Sequence, residues 1–194
     1  MADGEGGLVL AGGELHVAGG CSPGTLDCSY RDKTRYESSG LVSRYTRAGW
    51  HSDLPSLLQP RQNHGCAALQ RGQRLLLLVA GGSLSVPTPG GGYRQHLAST
   101  ELLLLGDPAW RAASPLPRPV WGGRAVNLAA RLYWLGGFEE SEQEEEEEVW
   151  TGREVLRWDD TSEDWEEAAS MLYKRAAHMV SIVKLDKDML ERCT

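Results

Sequence analysis

RLYWLGGF, residues 131–138, reads as a short buried strand that stops at two glycines. Apolar and aromatic residues of this kind fill half-buried strands, and a glycine pair allows backbone angles closed to other residues. A lone pair ends strands in many proteins, whereas a recurring one marks a repeat. Here it recurs three times after an apolar stretch. ELHVAGG closes on Gly19 and Gly20, LLLLVAGG on Gly81 and Gly82, and RLYWLGG on Gly136 and Gly137.

Other features keep step with the pair. Trp50, Trp110 and Trp165 follow the second glycine by 30, 28 and 28 positions. A short apolar or proline-containing stretch then leads to Arg61, Arg118 and Arg175, and three residues beyond each arginine stand His64, Trp121 and His178. The spacing between successive pairs is 62 and then 55 residues. Four features in one order over three units define the organisation of the chain. The units run over about 7–60, 61–117 and 118–174, and a partial fourth spans 175–194.

These residues resemble the kelch repeat, a unit of roughly 50 residues. The resemblance covers essentially the whole chain and is best in the third unit, where Tyr133 stands three before the first glycine. His16 and Leu78 hold that position in the first two units. It implies an all-β fold, an incomplete kelch-type β-propeller of about three four-stranded antiparallel blades plus a partial strand at the C-terminus. For the third blade the expected strands are 123–129, 132–135, 154–158 and 165–168. AHMVSIVKL, from residue 177, reads as the inner strand of a further unit.

Each repeated residue has a physical task. The glycine pairs permit positive φ where the second strand leaves the blade and make room for a neighbouring chain. The tryptophans supply flat surface for packing blade on blade. Chain direction puts the segments after the glycine pairs (21–39, 83–98, 138–152) and those before the arginines at one end of the blades, and their chemistry differs from unit to unit. Irregular loops on a regular frame suit recognition. The residues expected to meet a protein partner are Arg61, His64, Tyr93, Arg94, Arg118, Trp121, Arg175 and His178. The resemblance implies that the arginines contact carboxylates, which a guanidinium binds through two parallel hydrogen bonds. The alternative is that they tie adjacent loops through backbone carbonyls.

Composition narrows the function classes. The 194 residues are 41% hydrophobic, with no run near the roughly 18 apolar residues of a membrane span. The start, MADGEGGLVLAGG, lacks the basic-then-apolar form of a secretory signal. A soluble, cytoplasmic protein is expected. The four cysteines are too sparse for a disulfide scaffold, although Cys21 and Cys28 are close enough in sequence to pair in an oxidising compartment. Of the net charge of −7, residues 1–97 contribute +2 and residues 98–194 contribute −9. A glutamate run at 144–148 carries much of that excess; it reads as a solvated insert or a strip for a basic partner, and it argues against nucleic acid.

The fold is shared with galactose oxidase, so a copper radical site is the enzyme hypothesis. The five histidines show no ligand spacing, and GxSxG, HExxH and P-loop patterns are absent. No catalysis, cofactor or metal is expected. Three units of this period do not close a ring, so the chain is expected to be part of a longer kelch protein, to pair with a second copy, or to dock a partner on its open faces. The function expected is a non-enzymatic protein-interaction module. The alternative is a self-assembling propeller fragment, or a truncated part of a ubiquitin-ligase adaptor or actin-binding scaffold.

Overall fold

A computed structural model of the chain describes residues 7–11, 14–18, 38–88, 91–140 and 149–180. Gly19, Gly20, Cys21, Cys28, the glutamate run and residues 181–194 lie outside the described residues. Strands account for all the regular structure within them.

The chain forms an arc of three antiparallel β-propeller blades. In blade A, β1 (Gly7–Ala11), β2 (Glu14–Ala18), β3 (Val42–Thr46) and β4 (Gly49–His51) pair in sequence order. Blade B begins with β5 (Gly65–Arg71) and β6 (Arg74–Ala80). The chain then leaves to form a separate hairpin, β7 (Ser83–Thr88) with β8 (Gly91–His96). It returns as β9 (Thr100–Leu104) and β10 (Arg111–Ala113), giving the order β10-β9-β6-β5. Blade C is β11 (Arg124–Leu128), β12 (Arg131–Glu140), β13 (Val149–Asp159) and β14 (Asp164–Glu167), again in order.

Two segments expected as loops are strands. Residues 83–96 make the β7–β8 hairpin, and the third post-glycine segment prolongs β12 and β13 into a ribbon where Glu140 pairs with Val149. The register shifts between Leu135 and Gly137, so the glycine pair of RLYWLGGF is a bulge within a strand rather than its end. No strand is present in residues 176–180, where the fourth unit was expected to begin.

Blade B is buried on both faces, which is why its strands read LLLLV and ELLLL without polar alternation. Leu76, Leu78 and Leu102 face blade C, meeting Leu132, Trp134, Leu156, Trp158 and Trp165. Leu77, Val79, Leu103 and Trp110 turn the other way, towards Val42 and Leu57. Each such side chain contributes roughly 1.5–3 kcal/mol by leaving water. The indoles also find polar partners: Trp165 Nε1 donates to Thr100 Oγ1 (3.0 Å) and Trp110 Nε1 to the Pro55 carbonyl (2.8 Å). Trp134 and Trp158, which lie outside the tryptophan spacing, are buried in the same cluster as Trp165.

The glycine pair is required sterically. At Gly81 (φ +62°) a Cβ would sit 2.6 Å from the Val120 carbonyl oxygen, and at Gly136 (φ +53°) it would strike the Arg175 carbonyl. In both cases the segment leading into the next unit passes directly over the pair, the neighbouring chain for which the glycines make room.

Candidate functional site

Backbone hydrogen bonds fix which residues are equivalent around the arc. Leu57 N and Arg61 N donate to the Gly40 and Ser39 carbonyls, Leu116 N and Val120 N to those of Ala98 and Leu97, and Met171 N and Arg175 N to those of Arg153 and Gly152. Two residues further on, Asn63, Gly122 and Ala177 all adopt left-handed φ (54°, 68° and 50°). They link unit to unit, Gly122 N donating to Asn63 O and Ala177 N to Gly122 O. Arg61, Val120 and Arg175 are therefore the matched positions, and Arg118 stands two residues earlier. His64 matches Gly123 and His178, while Trp121 matches Gln62 and Ala176. The tryptophan spacing carries this signal: counts of 11, 10 and 10 lead to positions 61, 120 and 175, whereas Arg118 is only 8 beyond Trp110.

Arg61 is 0% exposed and every guanidinium N–H is used. It donates to the Gln59, Gly81 and Ser99 carbonyls, to Ser99 Oγ and to Glu101 Oε1. Glu101, also buried, accepts in addition from Leu58 N (2.7 Å) and Gln59 N (3.0 Å). The guanidinium ties the connection before blade B to β6 and β9 and turns no donor outward. Burial lowers its pKa, and the Glu101 carboxylate opposes that shift. Glu101 sits within TELLL, where nothing in the strand pattern announces a partner for an arginine forty residues away.

Arg118 is arranged differently. Its side chain is 54% exposed and pairs with Glu139 (3.1 Å) and Glu154 (3.7 Å) on the β12–β13 ribbon. These groups line a cleft of about 560 Å3 between the base of the β7–β8 hairpin, the connection before blade C and the ribbon. His96 closes one side, stacked on Trp121 with ring centroids 3.6 Å apart at 13°. Trp121 in turn bridges to Phe138 through its backbone and packs on its ring at 5.7 Å. On the other side Lys174 Nζ stands 5.1 Å over the ring of Trp150, which is about half exposed. Arg153 adds a third cation to the wall.

Three cations thus face two carboxylates. Glu139 has its pKa raised, chiefly by burial, with Arg118 pulling it down and Glu154 pushing it up. The cleft suits a ligand that brings carboxylates and some apolar surface: guanidinium forks for the first, the Trp150 ring for the second.

The remaining expected residues are scattered. His64 is buried at the start of β5, and Gln62 bridges to Ser83 beside it. Tyr93 is exposed and Arg94 half-buried on β8. Arg175 projects an exposed side chain while its backbone binds Gly152 and Gly137. His178 is half-buried with neither ring nitrogen hydrogen-bonded, and burial, Arg124 and Arg175 lower its pKa. Of the expected set only Arg118 lines the cleft, with Trp121 stacked behind His96. Trp150 was missed because residues 138–152 were read as loop, and Arg153 and Lys174 because neither sits at a repeated position; no spacing in the sequence joins the three.

No family model and no curated protein matches the sequence. Among solved structures, one described as "Structure of YjhT" is similar, with a TM-score of 0.65 at 14% identity, over 89% of this chain and 57% of that one. The fold and this likeness define a β-propeller-like, all-β protein. The chain spans little more than half the length of the structure it matches. Among the described residues, no helix is long and apolar enough to cross a membrane.

Proposed function

We propose that the chain is a kelch-repeat protein-interaction module, non-enzymatic, that receives an acidic segment of a partner protein in the cleft between the β7–β8 hairpin and the β12–β13 ribbon. One observation carries the reading. The two elements that depart from the repeat wall the cleft, the hairpin through His96 and the ribbon through Glu139, Trp150 and Arg153, and the connections on either side of blade C add Arg118 and Lys174 beside the exposed Trp150 ring. A rigid frame with chemically distinct additions at one end is how repeat folds present recognition surfaces. Arg61 belongs to the frame in this reading, and Arg118 and Lys174 to the surface.

Peptides selected from a display library against the purified protein test it. Enrichment in Asp and Glu is expected. Arg118→Ala with Lys174→Ala should weaken a selected peptide at least tenfold, since charge-assisted hydrogen bonds contribute about 1.5–3 kcal/mol each. Selected peptides without acidic residues, or binding indifferent to both changes, would contradict the reading.

A further inference from the structure

The exposed aromatic pair on blade A has a buried counterpart in blade C. Tyr45 faces Trp50 across β3 and β4, ring centroids 5.3 Å apart at 62°. Trp158 faces Trp165 across β13 and β14 in the same position, 5.2 Å apart at 70°. The blade C pair is 3% and 9% exposed, packed in one cluster with Ala67, Leu76, Leu78 and Leu102 of blade B. The blade A pair is 46% and 52% exposed. Blades B and C each lay the tryptophan of their outer strand against the unit before them. Blade A carries the same face already formed, and an exposed aromatic patch of this kind marks a contact surface.

The chain also carries a surface that fits it. Tyr133 pairs with Val126 and Arg157 as Leu78 pairs with Ala67 and Leu102, so these three occupy the positions that receive the tryptophans in blade B. Alternation along β12 turns Tyr133 away from Leu132 and Trp134, which face blade B. Leu128, matching Leu69, lies beside them and is exposed. Arg157 stands where blade B has Leu102; its guanidinium is paired with Glu166, and a ring laid on this face would meet it in a favourable cation–π arrangement.

We propose that two copies of this chain join with blade A of each on blade C of the other, the Tyr45–Trp50 pair seating on Val126, Leu128, Tyr133 and Arg157, to close a ring of six blades. A two-fold axis buries both open faces of both copies at once, whereas blade A on blade A would leave both blade C faces open. In the similar solved structure the matched chain continues well beyond the part this arc covers. The inference stands apart from the acidic-ligand reading of the cleft.

Size exclusion with light scattering tests it. The wild-type chain should run at twice its own mass. Trp50→Glu and Leu128→Glu should each give the mass of one chain, with circular dichroism unchanged. An equimolar mixture of the two should restore a two-chain species, because one copy keeps an intact blade A and the other an intact blade C. Tyr45→Ala and Arg157→Ala replace them should either variant unfold. A monomeric wild type, as expected if only further blades of a longer polypeptide cover the face, overturns the proposal. So does an assembly larger than two, a dimer that survives both changes, or a mixture that stays monomeric.

Discussion

At the scale of single residues, Arg61 and Arg118 show how one sequence sign covers two physical situations. Both arginines follow a short stretch after the tryptophan. One enters the interior and meets Glu101, and the other stays at the surface and meets Glu139. Removing one member of a buried ion pair strands the other, at a cost of about 3–5 kcal/mol. Arg61→Ala should therefore lower the denaturant midpoint severely, whereas Arg118→Ala should change stability by less than about 1 kcal/mol. Equal effects in urea titrations would refute the division. An arginine shortly after each tryptophan made both visible, although the spacing matches Arg61 to Val120 rather than to Arg118; the burial of Arg61 was not legible, because it depends on Glu101, a partner distant in sequence.

At the scale of elements, blade-to-blade contact is carried by apolar faces and finished by polar ties. Trp165→Phe keeps most of the packing and removes the hydrogen bond to Thr100, so it should cost about 1 kcal/mol, and a double-mutant cycle with Thr100→Val should return most of that as coupling. Leu78→Ala, deep in the same cluster, should cost about 2–5 kcal/mol in the same titrations. A second tie lies in the turns of blades B and C. Arg71 holds Asp160 (2.6 Å) and Glu163 (3.3 Å), while Arg111 also holds Glu163 (2.5 Å). Hydrogen bonding to Arg111, with help from Arg71, lowers the Glu163 pKa against the effect of burial. A lowered folded-state pKa means stability that is present above the unfolded carboxylate range and lost as pH falls through the folded value. Glu163→Gln should thus be less stable than wild type near neutrality, by under about 1 kcal/mol for so exposed a network, and the gap should close in acid. A gap that widens in acid would contradict this assignment. Strand existence in blades B and C was legible from glycine pairs, apolar runs and tryptophans. The β7–β8 hairpin was not, because the prolines and glycines of SLSVPTPGGGYRQH outweigh the short alternation of Leu84 and Val86 with serines, and the ribbon was not, because it flanks a glutamate run.

At the scale of the molecule, three repeats form the frame, and two departures from the repeat wall one cleft at its end. The frame follows from period and composition, so the all-β propeller arc could be read from the sequence. The cleft could not, since it arises where His96, Arg118, the ribbon and Lys174 converge from four separate parts of the chain. The most direct measurement is a charge reversal, Arg118→Glu with Lys174→Glu, followed by fluorescence anisotropy with matched acidic and basic peptides. The wild type should prefer the acidic peptide, and the reversed protein should lose it by at least tenfold while gaining the basic one. An unchanged order of preference would contradict the assignment of this cleft as the recognition site.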